Sequence, residues 1–563
     1  MKKKRFTYSL GEMTARLLKY AAPIKKYLCV STLASIIGNL SHMGIMGFGA
    51  MWILRGAGYT DAGNVYLFAA LTILSGVLIA VCRYLEGVFS HLGAYGILAK
   101  LRVHLYNSIS RVAPAYMINR RTGDVMNIAV ADIETLEFFY AHMIGPMFTI
   151  IILPVTTVVI AWQFSVMYAL ILIPIYILNS IVLPLIALKA GRGIGMRYRE
   201  SLGELKAIIL ESIYGIRDVQ IFSDGEKRRE KVQNANRAVN HAAFGLTLHR
   251  QTVASLPNFF VYLARILILT AAGYLAARGE GNPVGTIVVS FIAVSSLSST
   301  FNLTFIVTSL LETFAAAERI FLIEDAEPET TDPEASRRID EVETIEFKNV
   351  CFTYPGTERK ILDNFNFRIN KGESVGITGE SGAGKSTILR LLLRFYKPDS
   401  GEILINGFPL EEFSFEELHR HITLLEQDTY LFAASIEENL RIAKPDADDA
   451  EIRKACEQAG IADFIDTLPD GYKTDMGQMG ARLSGGERQR IGIARILLRG
   501  ADVCLMDEPS SALDAFHEKE LLYTLEKEYA GHTIMLISHR MSTVAGCDRQ
   551  LHLTAAAQGA VNS

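Results

Sequence analysis

Gly379-Glu380-Ser381-Gly382-Ala383-Gly384-Lys385-Ser386-Thr387 decides the reading of this chain, because it fits G-x-x-x-x-G-K-[ST] at all four fixed positions. Ser374 to Thr378, just before it, is a short strand-like run, and Ile388 to Phe395, just after it, is rich in helix formers. The chemistry needs that strand, loop, helix order. Glycines let successive backbone N–H groups turn toward one anion, and the helix N-terminus adds unpaired donors and partial positive charge. Phosphate is the expected guest. Four fixed positions also recur by chance in a chain this long, so the surrounding sequence has to decide.

The flanking region supplies the rest of a phosphate site. From Ile345 onward, apolar runs alternate with helical stretches, as in an α/β domain. Val503 to Glu508 (Val-Cys-Leu-Met-Asp-Glu) reads as a buried strand that delivers two carboxylates. Asp507 sits where a magnesium anchor is needed, and Glu508 where a base would polarise an attacking water. Leu483-Ser484-Gly485-Gly486-Glu487 precedes a helix-like run from Ile491 to Leu498, which makes a second anion-binding helix terminus. One ATP hardly needs two such termini from the same face of one chain.

The first half has a different composition. At 563 residues the chain allows two to four domains, half of its residues are hydrophobic, and the mean hydropathy is +0.23, so a membrane portion is expected. The formal net charge of -4 leaves no strongly basic face for nucleic acid. Six scattered cysteines form no C-x-x-C pair and read as reduced packing residues. Met1 to Arg5 is basic, but no short apolar run with a small-residue cleavage site follows, so a cleaved signal peptide is not expected.

Residues 1–26 read as a cytoplasmic and interfacial segment, and six spans follow at about 27–54, 62–100, 138–161, 165–188, 254–277 and 281–311. They make up a membrane domain over 27–322. The polar stretch 323–344, with Pro328 and Pro333, reads as a linker, and 345–563 as the soluble domain. Lys and Arg crowd the connections after spans two and four, whereas those after spans one, three and five hold only Arg55 and Arg278. Both termini are therefore expected in the cytoplasm of a multi-pass protein of the cell membrane. With the apolar part of the second span taken as Ala62 to Cys82, ahead of Arg83 and Glu86, Arg265 is the one ionised side chain deep in a span. It reads either as an anion-attracting group on a substrate path or as a structural, snorkelling charge.

Taken in order, these motifs resemble the ATP-binding cassette exporters over nearly the whole chain. The resemblance implies a fold of six membrane helices followed by a cytoplasmic α/β P-loop ATPase domain, with ATP and Mg2+ as its ligands. It implies that Tyr354 stacks on adenine and that Gly379 to Thr387 holds the phosphates, with Lys385 on the β and γ oxygens. Magnesium would be held by Ser386, Gln427 and Asp507, with Gln427 also sensing the γ-phosphate. Glu508 would be the catalytic base and His539 would hold the γ-phosphate. Leu483 to Glu487 would reach the ATP bound by a second cassette, with Asp514 lining the seam.

A single membrane half with one cassette then implies a homodimer or a heterodimer with a paralogous half. Arg121 to Asp124, followed by Asp132-Ile133, and Tyr214 to Ser223 resemble the two inner connections, each of which carries a short cassette-docking helix in the family. Gln478 departs from the family, where many members carry Glu. The resemblance also implies closing elements beyond His539 that the last two dozen or so residues shorten. The expected function is ATP-driven export of a small molecule, peptide or lipid. Val112 to Pro146 resembles exporters of small thiols or amino acids linked to cytochrome assembly. An ATP-gated channel or regulatory protein would share these parts; an importer would keep its cassette on a separate chain, and six spans exclude a soluble nucleic-acid ATPase.

Overall fold

The computed structural model describes residues 7–59, 63–118, 122–299, 302–477, 480, 482–509, 518–519, 523, 527 and 531–554. The chain divides into two compact units, one of residues 1–110 with 120–326 and one of 111–119 with 327–563.

The first unit is helical. Helix α1 (Leu10–Ala21) starts at Ser9, whose hydroxyl accepts the Glu12 N–H, and buries Met13, Leu17 and Ala21 at four-residue spacing. The flank of that stripe is tied to the end of the unit: Arg16 pairs with Glu324 at 3.0 Å and Asp325 at 2.5 Å, and the Tyr20 hydroxyl donates to Glu324 at 2.6 Å. Burial first, and then the Glu324 carboxylate, push the Tyr20 phenol upward from its usual range.

Helices α2 (Lys25–Gly56) and α3 (Val65–Val112) follow, and α3 hands the chain to the second unit through α4 (Ala115–Ile118). The return runs through α5 (Thr122–Asn127), a π-helical turn at Ile128–Asp132, α6 (Ile133–His142) and α7 (Ile144–Phe164). Ser165, in extended conformation, separates α7 from α8 (Val166–Ile177). A second π-helical turn, Leu178–Val182, joins α8 to α9 (Leu183–Tyr214). Pro184 lacks the N–H that the Ser180 carbonyl would need in an α-helix, which accounts for the distortion. Then come α10 (Ile216–Ile221), α11 (Gly225–Ala277), α12 (Pro283–Ser299) and α13 (Asn302–Glu324).

At 1.5 Å per residue, α11 runs about 80 Å, far more than a bilayer needs, and it packs along α9. Among the described residues, five helical stretches are long and apolar enough to cross a membrane, and Pro283–Leu297 is a shorter apolar one. The sixth expected span falls on α12 and α13. Asp132, buried in the first π turn, accepts two hydrogen bonds from Arg319 of α13, at 2.6 and 2.5 Å.

The second unit is built on two sheets. Strands β1 (Thr344–Thr353), β2 (Lys360–Asn370), β4 (Ser400–Ile405) and β5 (Phe408–Pro409) form an antiparallel sheet in the order β2-β1-β4-β5. Strands β3 (Ser374–Gly379), β6 (Ile422–Leu425), β7 (Val503–Asp507), β8 (Thr533–Ile537) and β9 (Arg549–Leu553) form a parallel sheet, β6-β7-β8-β3-β9. The continuous apolar runs of β3 and β7 suit strands covered on both faces.

One core joins both sheets to α14 (Lys385–Leu392) through Phe347, Phe365, Ile377, Ile388 and Leu505. Ala115 of α4 belongs to this core, so part of the first inner connection is built into the cassette. A second core, with Leu440, Ile452, Ile465, Ile491 and Met506, gathers α16 (Ile436–Arg441), α17 (Asp449–Gln458), α18 (Ala462–Thr467) and α19 (Gly485–Arg499). Between β5 and β6 lies α15 (Phe415–His421).

Candidate ATP site

The loop after β3 has the backbone that anion binding demands. Gly379, Gly382 and Gly384 have φ of +146°, +80° and +99°, a region L side chains rarely enter. A Cβ at Gly379 would also collide with the Leu553 carbonyl. Gly384 forms the N-cap of α14, so the first N–H groups of that helix open into the loop. Lys385 is buried, and its Nζ donates to the Gly379 and Glu380 carbonyls at 2.9 and 3.0 Å, folded over the loop that carries it. Burial lowers its pKa, against the opposing pull of Glu508 and Asp507, which places both carboxylates in its electrostatic field.

Those carboxylates leave the end of β7. Asp507 is its last residue; Glu508 turns into left-handed conformation at φ +51°, its N–H donating to Ile537 of β8 at 2.9 Å. The turn brings Glu508 Oε1 to 3.0 Å from His539 Nε2, just beyond β8. Gln427 follows β6 and is exposed. A groove of about 510 Å³ opens at the end of β6, lined by Glu426, Thr429, Tyr430, Gly492 and Arg495 among others. Tyr354 is half-buried after β1; its hydroxyl lies 3.0 Å from Thr387 Oγ1 and accepts from Arg390 at 3.0 Å, and its ring meets Phe352 and Tyr396 edge-on.

Ser386 supplies a hydroxyl, Asp507 a carboxylate and Gln427 an amide oxygen, which are hard oxygen donors suited to magnesium. Among the described residues no group of three or more His, Cys, Asp or Glu forms a metal site of its own. The set fits an ion that completes its shell with water and nucleotide phosphate.

The second candidate anion site lies at the start of α19. Ser484 caps that helix: its hydroxyl accepts the Glu487 N–H at 3.3 Å, and the Glu487 carboxylate accepts the Ser484 N–H at 2.7 Å. Leu483 is buried under it, whereas Ser484 is exposed. Lys385 therefore stands on the first core and Ser484 on the second. Arg265, on α11, is exposed with its guanidinium 5.9 Å from the Tyr262 ring, and among the described residues it makes no ion pair. Asp514 and Gln478 lie outside the described residues. Sequence reasoning missed the cassette-bound segment 111–119; its signal was the breaker Pro114 ahead of apolar Tyr116-Met117-Ile118.

Comparison with known proteins is consistent with this geometry. Residues 28–301 match the ABC transporter transmembrane region family and 362–511 match the ABC transporter family. A probable ABC transporter ATP-binding/permease protein of Haemophilus influenzae is 34% identical over 529 residues, covering 92% of this chain and 96% of the relative. The glutathione/L-cysteine transport system ATP-binding/permease protein CydC of Escherichia coli is 26% identical, covering 93% and 92%. A solved bacterial Atm1-family ABC exporter with ATP bound superposes with a TM-score of 0.80 at 25% identity, covering 95% of this chain and 94% of that one.

Proposed function

This chain belongs to the ABC transporter family as an ATP-hydrolysing half-transporter, and from that premise we propose that it exports its cargo by alternating access as one half of a dimer. The observation that carries the proposal is the placement of two anion-binding helix termini, at Lys385 and at Ser484, on separate cores of one cassette. Each then serves a different nucleotide. ATP is held by Lys385 of one cassette and Ser484 of another, so binding favours the closed pair, and hydrolysis releases it.

In the closed pair, Lys385 leaves its loop carbonyls and neutralises the β and γ oxygens. Ser386, Asp507 and Gln427 would hold Mg2+ through their oxygen donors, and the ion would supply positive charge against the charge that develops on the phosphate. Glu508 takes the proton from the attacking water, and His539, 3.0 Å from the Glu508 carboxylate, holds the γ-phosphate and keeps that carboxylate in place. The exposed Tyr214, Ile221 and Phe222 around α10 give the second inner connection an apolar tip suited to a cassette groove such as the one at the end of β6.

Six spans with both termini in the cytoplasm follow from the charge asymmetry of the connections. Small thiols are the first cargo to test, supported by the likeness of Val112 to Pro146 to thiol and amino-acid exporters and by the named substrates of the CydC relative. The test is uphill, ATP-dependent accumulation of radiolabelled cysteine or glutathione in inside-out vesicles. Accumulation that a Glu508→Gln variant abolishes supports the proposal, and equal uptake by that variant refutes it.

A further inference from the structure

The membrane unit carries a polar seam that the ATP chemistry does not use. His42 Nδ1 on α2 lies 2.6 Å from Ser295 Oγ on α12, and Thr157 Oγ1 on α7 lies 4.0 Å from Met43 Sδ on α2. Ser296, one residue along, is fully buried and its hydroxyl has no hydrogen-bond partner. Tyr176 on α8 shares a core with Ala293 and Leu297 of α12, and its buried hydroxyl also has no hydrogen-bond partner. Three residues further, Asn179 is 2% exposed, and neither its amide oxygen nor its amide nitrogen has a partner; the Ser180 hydroxyl is also unpaired.

An unpartnered amide inside a helix bundle is costly, and a leucine there would avoid the cost. Asn179 and Ser180 also sit in the π-helical turn Leu178–Val182, a distortion found most often at functional positions. This set of unpaired groups consists of three hydroxyls and one carboxamide, none of which carries a charge. That set suits a neutral donor–acceptor group, because an asparagine amide pairs with another amide through one donor and one acceptor.

We propose that Tyr176, Asn179, Ser180 and Ser296 form a subsite that binds the neutral hydrogen-bonding part, a peptide amide or hydroxyl, of the transported molecule. The proposal rests on the exporter reading and gives that exporter a basis for preferring polar cargo over apolar cargo.

The test uses the full-length protein in lipid nanodiscs, with ATP turnover titrated against two probes. Reduced glutathione carries two peptide amides, and tetraphenylphosphonium carries no donor or acceptor. Asn179→Leu is expected to raise the half-maximal glutathione concentration about tenfold or more, roughly the weight of one well-made buried hydrogen bond. Its unstimulated turnover and its response to tetraphenylphosphonium stay as in the wild type. Ser296→Ala, a smaller change, moves the glutathione response in the same direction.

Glutathione responses of both variants equal to the wild type overturn the subsite and leave ordered water as the filling of the seam. A wild type that ignores glutathione overturns it as well. The vesicle uptake assay separates the two claims, since accumulation by Glu508→Gln equal to that of the wild type refutes the exporter reading itself.

Discussion

Glu508 Oε1 and His539 Nε2 stand 3.0 Å apart, joining the ends of two adjacent parallel strands, β7 and β8. The pair exists because Glu508 adopts a left-handed backbone that points its side chain across to β8. Such a conformation costs about 1–3 kcal/mol in a non-glycine residue and is characteristic of functional positions. Glu508→Gln keeps the shape and removes the base, so turnover should fall about 10² to 10⁴-fold with ATP binding retained. Stopped-flow phosphate release against equilibrium nucleotide binding checks both halves of that statement.

His539→Ala should act differently. Without the imidazole the Glu508 carboxylate loses its fixed partner, so kcat falls while the KM for ATP changes less. Steady-state kinetics over a range of ATP concentrations distinguish this from loss of binding.

Ser484 has two roles that can be separated. As an N-cap it stabilises α19, and Ser484→Ala should cost about 0.5–2 kcal/mol of cassette stability. Ser484→Asp preserves the cap, because aspartate accepts the same N–H, but it presents a negative charge to a phosphate. The Asp variant should melt like the wild type and fail to hydrolyse ATP, as measured by thermal unfolding alongside turnover.

Asp132 and Arg319 predict an asymmetry. Asp132 is 3% exposed, whereas the Arg319 side chain is about half exposed at 47%. Arg319→Ala strands a buried carboxylate and should cost about 1–3 kcal/mol or more. Asp132→Asn leaves a guanidinium that water can reach, and should cost less. Melting temperatures of the two variants in the same detergent test the order.

The start of β3, the strand leading into the phosphate loop, is tied to Asp548, which accepts from the Ser374 hydroxyl at 2.7 Å and the Ser374 N–H at 2.8 Å. Hydrogen bonds from the Ser374 hydroxyl and then its N–H hold this carboxylate below its usual range. A group with a depressed folded pKa contributes stability above its unfolded value, near 3.9, and loses it as pH falls through the folded value. Asp548→Asn should therefore be less stable than the wild type at neutral pH, with the gap closing below about pH 4. Denaturant midpoints at a series of pH values record this.

The phosphate loop, the strand carrying Asp507 and the helix opening at Ser484 were legible because each is local: a glycine pattern, an apolar run, a small polar residue before a helix. The pairing of Asp132 with Arg319 was not, since 187 residues separate them and each reads alone as a solvated charge. The π turns were also hidden. Pro184 announced a perturbation, but the apolar run across Leu178–Val182 looks like any span, and Asn179 reads as an isolated polar residue until its burial is seen. The assignment of residues 111–119 to the cassette depends on a core assembled mostly from Ile339 onward, and within the segment only Pro114 ahead of Tyr116-Met117-Ile118 hints at it.

Nucleotide stoichiometry in a mixed dimer tests the central claim most directly. Differently tagged Lys385→Ala and Ser484→Asp chains, both carrying Glu508→Gln, are co-purified as a mixed pair and the ATP retained is counted. If each nucleotide lies between Lys385 of one chain and Ser484 of the other, the mixed pair concentrates both lesions in one site and keeps the other whole. It should retain one ATP per pair, while either variant paired with itself retains none. A mixed pair as empty as its parents would contradict the account.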